Sequence, residues 1–190
     1  MLRGAFPEIL LPQIEQAVGA VNPDDLRTMN RYDFFGIQYY HDMIIDPKSP
    51  HPLRLPHMRY PFYDYTEMDW PVTPRGIYDV IMRLWREYDA KRLIITENGS
   101  AWPDVLSPDG RVRDEKRQRY LKDHLAMVHR AVEEGAPVDG YIAWSLMDNF
   151  EWNKGYRPRF GLVYVDYATQ KRYIKDSGYL YRDIIAANGF

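Results

Sequence analysis

The sequence contains no cysteine and no long apolar run. The first absence excludes disulfides, a thiolate nucleophile and metal sites with cysteine ligands. The second excludes a bilayer-spanning helix, which needs about 20 mostly apolar residues. The first eleven residues hold one arginine and short apolar stretches broken by Gly4 and Pro7, unlike a secretory signal. We therefore expect a cytoplasmic protein that does not bind membranes.

An excess of basic residues is also absent. The 25 lysines and arginines are balanced by 27 aspartates and glutamates, for a net charge of −2. This balance gives no electrostatic reason to expect a nucleic-acid partner or an anionic membrane. The chain has no GxSxG elbow, phosphate loop or GxGxxG fingerprint. Its histidines lack metal-ligand spacing, and His124 and His129 fall on different faces of a predicted helix. We expect neither a metal nor an organic cofactor.

Aromatic residues, by contrast, are abundant: 16 tyrosines, 7 phenylalanines and 5 tryptophans make up 15% of the chain. They are consistent either with an aromatic core or with a carbohydrate site, because the flat C–H faces of sugars pack on rings. Composition alone favours the aromatic core. The position of individual rings must therefore decide between the two interpretations.

Short apolar strands alternate with amphipathic helices along the chain. Helices are predicted over residues 7–18, 74–88, 114–134 and 177–187, and strands over 33–40, 93–96 and 141–147. This alternation predicts an α/β fold with a parallel sheet, whose functional residues lie at the carboxyl ends of strands. Both a barrel and a doubly wound sheet fit, although 190 residues are few for a (β/α)8 barrel of about 250.

Two acidic residues follow predicted strands. Glu97 ends the strand at 93–96, where it would either cap the next loop or act in catalysis. Glu151 follows the next strand and by itself reads as a loop acid, but the adjacent Trp152 suits a sugar site. Trp144, inside a predicted strand, would normally belong to the core. As carboxylates that follow neighbouring strands, Glu97 and Glu151 are candidates for a glycosidase pair. The two carboxyl groups of such a pair lie about 5–5.5 Å apart in retaining enzymes and about 6.5–9.5 Å apart in inverting ones.

Three segments resemble signature motifs of glycoside hydrolase family 1, the β-glucosidases. They are ITENG at 95–99, WSLMDNFEW at 144–152 and DFFGIQYY at 33–40. The agreement continues through residues 155–166 and spans the chain in the right order, so residues 1–190 are read as one segment. The resemblance implies a TIM barrel and a retaining β-glycosidase that acts on terminal β-D-glycosides.

The resemblance also implies residue roles. Glu97 corresponds to the catalytic nucleophile, and Tyr40 to the tyrosine whose hydroxyl contacts it. The positions implied to bind the sugar are Trp144, Glu151, Trp152 and Phe160. Glu151 also argues against the branch of the family specific for phosphorylated sugars.

The sequence departs from the family pattern at one of the motif positions. Gln38 replaces the asparagine usual in the DFxGxNYY motif, so its amide reaches one carbon further. We expect Gln38 to be one of the substrate-binding residues and to alter contacts around the sugar or the nucleophile.

A larger departure is that the NEP motif, which carries the general acid of the family, is missing. The resemblance therefore implies a partial (β/α)8 barrel made of the last three strands and their helices. We expect a complementing N-terminal half or self-association to cover its open sheet, and negligible activity from the chain alone. A non-catalytic sugar-binding or interaction fragment and an inert truncation are the alternatives.

Overall fold

The computed structural model describes residues 8–20, 22, 24, 32–50 and 59–189. In this part of the chain, a 3-10 turn (Glu8–Leu10) leads into helix α1 (Leu11–Val18). The central elements are β1 (Phe35–Gln38), α2 (Pro74–Tyr88), β2 (Leu93–Asn98), α3 (Glu115–Glu133) and β3 (Val138–Ala143). A 3-10 turn (Trp152–Lys154), strands β4 (Val163–Val165) and β5 (Arg172–Ile174), and helix α4 (Asp176–Ala187) follow.

Strands β1, β2 and β3 form a parallel sheet in that order, with α2 and α3 as the connections between them. Ile95 in the central strand pairs with Ile37 on one side and with Tyr141 on the other. Parallel pairing places the carboxyl ends of all three strands at the same edge of the sheet. The predicted α/β alternation is thus confirmed.

One face of this sheet packs against the helices. Ile37, Leu93 and Ile95 are buried together with Ile77 and Ile81 of α2. Successive strand residues point to opposite faces, so a single buried face accounts for the alternate burial along β1 and β2. This face forms the main hydrophobic core of the described residues.

The opposite face of the sheet is open. Phe34 precedes β1 with 46% of its surface exposed, and Ile142 of β3 is 56% exposed. Gly36 and Gly140 contribute no side chains to the middle of this face. A Cβ added at Gly36 would lie 3.2 Å from Cγ2 of Thr96 on the neighbouring strand. The predicted exposed apolar face is therefore present in the structure.

The third strand corrects the sequence prediction, which placed it at 141–147. It begins at Val138 and ends at Ala143, and the peptide bond from Trp144 to Ser145 is cis. Leu146 and Met147 lie outside the sheet and stay exposed. An apolar run indicates a strand but does not indicate where the chain leaves the sheet. The hairpin of β4 and β5 was not predicted either, because its strands have only three residues each.

The other predicted elements differ mainly at their ends. The helices predicted at 74–88 and 114–134 match α2 and α3 within one residue. On α3, Ala131 and His124 are fully buried, whereas Val132 is 44% exposed. The buried face of α3 therefore includes a histidine. No helix in the described residues is long and apolar enough to cross a bilayer.

His124 is held as a neutral imidazole inside the core. Its Nδ1 lies 2.8 Å from the carbonyl oxygen of Tyr120, so Nδ1 carries the hydrogen, because a carbonyl only accepts. Nε2 is buried without a hydrogen-bond partner among the described residues, and the ring stacks on Tyr120 with centroids 3.8 Å apart. Burial lowers the pKa of His124 to about 4.

Protonation of His124 should therefore oppose folding in mild acid. The unfolded chain takes up this proton below its ordinary pKa of 6.5 and the folded chain only below about 4, so stability falls with pH across that window. The difference corresponds to about 3 kcal/mol. Urea unfolding at pH values between 4 and 7 should show a flatter profile for His124→Phe, which keeps an aromatic ring. Parallel profiles for the two proteins would contradict this account.

Candidate active site

The carboxyl ends of β1 and β2 bring two predicted site residues side by side. Gln38 lies opposite Glu97, and the pairing register shifts between Ile37 and Gln38. Such an irregularity re-aims side chains and is frequent beside active sites. The backbone N–H of Tyr39 donates to the carbonyl oxygen of Glu97 at 2.9 Å, which fixes the end of β2 against the chain leaving β1.

The carboxylate of Glu97 accepts hydrogen bonds at both oxygens. Nε2 of Gln38 lies 2.9 Å from Oε1, and the hydroxyl of Tyr40 lies 2.6 Å from Oε2. Burial and the hydrogen bond to Glu97 raise the pKa of Tyr40, so the phenol keeps its proton and donates it. An ionised carboxylate is an acceptor only, and both neighbours supply the donors that it requires.

Buried Asn98 connects all three strands behind this carboxylate. Its Nδ2 donates to the carbonyl oxygen of Tyr39 at 2.6 Å and to the hydroxyl oxygen of Tyr120 at 3.0 Å. The hydroxyl of Tyr141 donates to Oδ1 of Asn98 at 2.6 Å. Tyr120 in turn donates to the carbonyl of Tyr40 at 2.8 Å. Because every polar group of this cluster is paired, it makes the strand ends rigid.

Gly99 allows the chain that leaves β3 to approach the end of β2. A Cβ at this position would lie 1.8 Å from the carbonyl oxygen of Trp144, far inside van der Waals contact. The amide of Trp144 donates to the carbonyl oxygen of Asn98 at 2.9 Å. Because Gly99 has no side chain, Trp144 can lie next to the end of β2, the strand that carries Glu97.

The carboxylate of Glu97 lines a cavity of about 430 Å³ at the carboxyl edge of the sheet. The structure brings together all seven residues predicted from the sequence, with three more. The lining consists of Gln38, Tyr40, Met68, Trp70, Glu97, Trp144, Glu151, Trp152, Asn153 and Phe160. Trp152 lies at the rim with 82% of its surface exposed, whereas Phe160 is buried.

Glu151 is a second acid in the same cavity. Its backbone N–H donates to the carbonyl of Gly155 at 2.8 Å, which closes a tight turn. Gly155 has a φ of 65°, a conformation that glycine adopts without strain. Burial, and then the negative charge of Glu97, raise the pKa of Glu151. The cavity therefore combines two carboxyl groups with a wall of aromatic rings, a composition that suits a polyhydroxylated, apolar-faced ligand.

Trp70 is a cavity residue that was not predicted from the sequence. Its ring lies 5.2 Å from that of Tyr40 and 6.0 Å from that of Phe160, and His41 stacks on it at 5.1 Å. Trp70 belongs to the long segment at 41–72, which the sequence marks as functional only by its length. The signal that could have identified it is the clustering of aromatic residues in that segment.

A buried ion-pair network, which was not predicted from the sequence either, involves residues close in the chain to the cavity residues Glu151 and Phe160. Asp148 accepts from Nζ of Lys175 at 2.7 Å and from Nη1 of Arg159 at 2.6 Å. Lys175 also contacts Asp104 at 2.5 Å, and Arg117 contacts the same aspartate at 2.7 Å. Arg117 is further paired with Asp114. Burial lowers the pKa of Lys175, whereas the carboxylates around it favour its charged form.

This network joins loops that follow two different strands. Asp104 follows β2, Asp148 follows β3, and Lys175 lies directly before α4. Asp148 also accepts the backbone N–H of Gly161 at 2.9 Å, next to the cavity residue Phe160. The positions of Glu151 and Phe160 relative to Glu97 therefore depend on the network. No cluster of three or more potential metal ligands occurs among the residues that the structure describes.

Comparison with known proteins places the whole chain in one family. A family model described as Glycosyl hydrolase family 1 matches residues 1–190. Beta-glucosidase A of Thermotoga maritima is 43% identical over 190 residues, which cover 98% of this chain and 42% of the relative. A 6-phospho-beta-galactosidase of Streptococcus equi subsp. zooepidemicus is 48% identical over 122 residues, or 64% of this chain and 26% of the relative.

The fold agrees with these sequence matches. A solved structure of the family 1 β-glucosidase from Thermotoga maritima superposes with a TM-score of 0.88 at 41% identity. The superposition covers 100% of this chain and 42% of that structure. The chain thus spans about two-fifths of the length of the β-glucosidases that it matches.

Proposed function

Because the chain belongs to glycosyl hydrolase family 1, we propose that it is the part of a retaining β-glycosidase that carries the nucleophile, Glu97. The observation that supports this role most directly is the pair of donors on the carboxylate, Gln38 on Oε1 and Tyr40 on Oε2. Two donors match an ionised carboxylate, which only accepts hydrogen bonds, and the ionised form is the one that attacks carbon. The same cavity holds Glu151 and three indole rings.

In the proposed reaction, a carboxylate oxygen of Glu97 attacks the anomeric carbon of a β-glycoside. The new C–O bond forms as the bond to the leaving-group oxygen breaks, and its electron pair leaves with that oxygen. Water then hydrolyses the glycosyl-enzyme, so that the configuration is retained after two inversions. A general acid must protonate ordinary leaving groups, and the sequence lacks the NEP motif that carries this acid in the family.

We assign recognition of the terminal sugar to the other cavity residues. Trp144 offers a flat apolar surface to the C–H face of a pyranose, Phe160 packs behind the rings of Tyr40 and Trp70, and Trp152 lies at the rim. Glu151 accepts hydrogen bonds from sugar hydroxyls. Although one relative is named a 6-phospho-β-galactosidase, a phosphate in this cavity would add negative charge beside Glu97 and Glu151. An unphosphorylated β-D-glucoside is therefore the substrate that we propose.

We further propose that residues 1–190 form the last three strands of a (β/α)8 barrel with their helices. The open sheet face with Phe34 and Ile142 exposed supports this arrangement, as do the outer edges of β1 and β3, which are ready to pair with further strands. The remaining strands, supplied by a complementing N-terminal half, would close the barrel and contribute the general acid. General acid catalysis typically contributes about 10²–10⁴-fold, so the chain alone should hydrolyse ordinary glucosides negligibly.

Covalent trapping tests the nucleophile without requiring the missing acid. In 2,4-dinitrophenyl 2-deoxy-2-fluoro-β-D-glucoside, the leaving group departs as a stable phenolate, and the fluorine slows hydrolysis of the adduct. The chain should be treated alone and together with the N-terminal part of the Thermotoga relative. Mass spectrometry is expected to find one glycosyl group on the peptide containing Glu97. The exposed-acid variant Glu133→Gln should label like the wild type, and the urea-unfolded chain should not label.

Other outcomes favour the alternatives. Saturable glucose binding without an adduct, in the chain alone and in the mixture, would indicate a non-catalytic sugar-binding fragment. Aggregation without near-ultraviolet circular dichroism would indicate an inert truncation, and size-exclusion chromatography would reveal self-association. In the mixture, hydrolysis of p-nitrophenyl β-glucoside should appear only when both parts are present.

A further inference from the structure

Gln38 stands at the position where the family motif carries asparagine, and its amide contacts the proposed nucleophile directly. We infer that Gln38 is a positioning residue that fixes the plane of the Glu97 carboxylate. This inference rests on the nucleophile role proposed above. Of the two kinds of contact expected for Gln38, to the sugar or to the nucleophile, it assigns the contact to the nucleophile.

A glutamate carboxylate has considerable torsional freedom. The last torsion of a glutamate side chain is broad and roughly two-fold, so a carboxylate held at one oxygen can still swing about that contact. In this cavity Tyr40 holds Oε2 at 2.6 Å and Gln38 holds Oε1 at 2.9 Å. Two donors on different oxygens define the plane of the carboxylate. The attacking lone pair is then oriented before the sugar arrives, which is the condition for efficient displacement.

The backbone places the two donors so that they approach the carboxylate from one strand. Gln38 and Tyr40 are separated by one residue on the chain leaving β1, and the register shift at Gln38 aligns it with Glu97. The identity of the donating atom follows from the partner, because a carboxylate oxygen requires Nε2 rather than Oε1 of the amide. Among the described residues that line the cavity, the only other acid is Glu151, which carries no hydrogen to donate when ionised.

The length of the side chain decides whether the contact forms. Asparagine would place its amide about 1.5 Å further back, one carbon–carbon bond closer to the backbone. From the backbone position of Gln38, that amide would miss Oε1. An asparagine at this backbone position would therefore leave Oε1 of Glu97 without the hydrogen bond that Gln38 donates.

A first test detects the contact itself and needs no activity. The side-chain amides of the complete chain are observed by NMR after selective ¹⁵N-glutamine labelling, while the pH is lowered through the ionisation of Glu97. The Gln38 amide protons should shift in the wild type and stay constant in Glu97→Gln. Gln170, which donates to the carbonyl of Tyr167 at 2.8 Å, is the internal reference. Equal behaviour of Gln38 in both proteins would overturn the inference.

A second test separates positioning from sugar binding. The rate constant for covalent labelling by the 2-fluoroglucoside is measured together with the inhibitor constant Ki. Gln38→Leu and Gln38→Asn should each lower the rate constant by about tenfold or more, the effect of losing one hydrogen bond to a charged group. Their Ki should stay within about twofold of the wild type, and Gln118→Leu on α3 should change neither constant.

The results distinguish the inference from the function on which it rests. A wild type that labels, with Gln38→Leu reacting at the same rate, overturns the role of Gln38 and leaves the nucleophile in place. A raised Ki with an unchanged rate constant assigns Gln38 to sugar binding and also overturns it. If the wild type does not label at all, the proposed function fails, and the amide titration still decides whether Gln38 holds Glu97.

Discussion

Replacing Glu97 by alanine is expected to abolish the glycosyl adduct and to lower turnover of the assembled barrel by roughly a thousandfold or more, as in other enzymes that lose a nucleophile. Alanine removes both carboxylate oxygens and leaves space beside Tyr40 and Gln38. A small external anion should then react in its place. With 2,4-dinitrophenyl β-glucoside and azide, the product should be α-glucosyl azide, formed as azide attacks the anomeric carbon and dinitrophenolate departs with the bonding electrons.

The matched control for this prediction is Glu151→Gln, which changes the other acid of the cavity. It should leave labelling at Glu97 intact but raise the Ki for the fluoroglucoside, because an amide replaces a carboxylate that accepts from hydroxyls. Proton NMR of the azide product would show its anomeric configuration. A β-configured azide from Glu97→Ala would mean that another residue forms the covalent intermediate. Loss of the adduct in Glu151→Gln, with full labelling in Glu97→Ala, would assign the nucleophile role to Glu151.

Much of the cavity could be predicted from the sequence because its residues lie at strand ends. Glu97 follows an apolar strand directly, and parallel pairing brings such positions to one edge of the sheet. The motif resemblance then selected Tyr40, Trp144 and Phe160, which share a cavity with Glu97. For a residue that its strand places directly, such as Glu97, the local sequence pattern and the family motif thus predict the same position in the fold.

The remaining features depend on contacts between distant parts of the chain. Trp70 reaches the cavity from a long segment whose path no periodicity describes. The end of β3 at Ala143 depends on the approach of Trp144 to Gly99, which a hydrophobic pattern does not encode. The ion pair between Lys175 and Asp104 joins residues 71 positions apart. No family motif identifies Lys175 or Asp104, and charged residues are otherwise expected on the surface, since buried ones are rare.

The buried network also explains how an open three-stranded sheet can hold an ordered cavity. The sheet itself fixes Gln38 and Glu97, but Glu151 and Phe160 lie on the segment after β3, which pairs with neither β1 nor β2. Asp148 connects that segment to Lys175 and Arg159. The positions of Glu151 and Phe160 therefore depend on electrostatics as much as on packing, and they should respond to removal of a single charge.

Asp148→Ala is accordingly expected to destabilise the chain by about 3–5 kcal/mol, the usual effect of removing one partner from a buried ion pair. The variant leaves Lys175, which is fully buried, with only Asp104 to balance it while Arg117 draws on the same carboxylate. Urea unfolding followed by circular dichroism measures the loss. Labelling at Glu97 should fall as well, since the backbone N–H of Gly161, next to Phe160, loses Asp148 as its hydrogen-bond acceptor.

The control is a surface ion pair of similar length. Arg92 and Asp139 lie 2.6 Å apart with more than two-fifths of each side chain exposed, and exposed pairs contribute at most about 1 kcal/mol. Arg92→Gln should therefore unfold close to the wild-type midpoint and keep its labelling rate. Asp148→Asn, which preserves shape but removes the charge, should lie nearer to Asp148→Ala than to Arg92→Gln. Equal effects of Asp148→Ala and Arg92→Gln would mean that the network does not hold the segment after β3 in place.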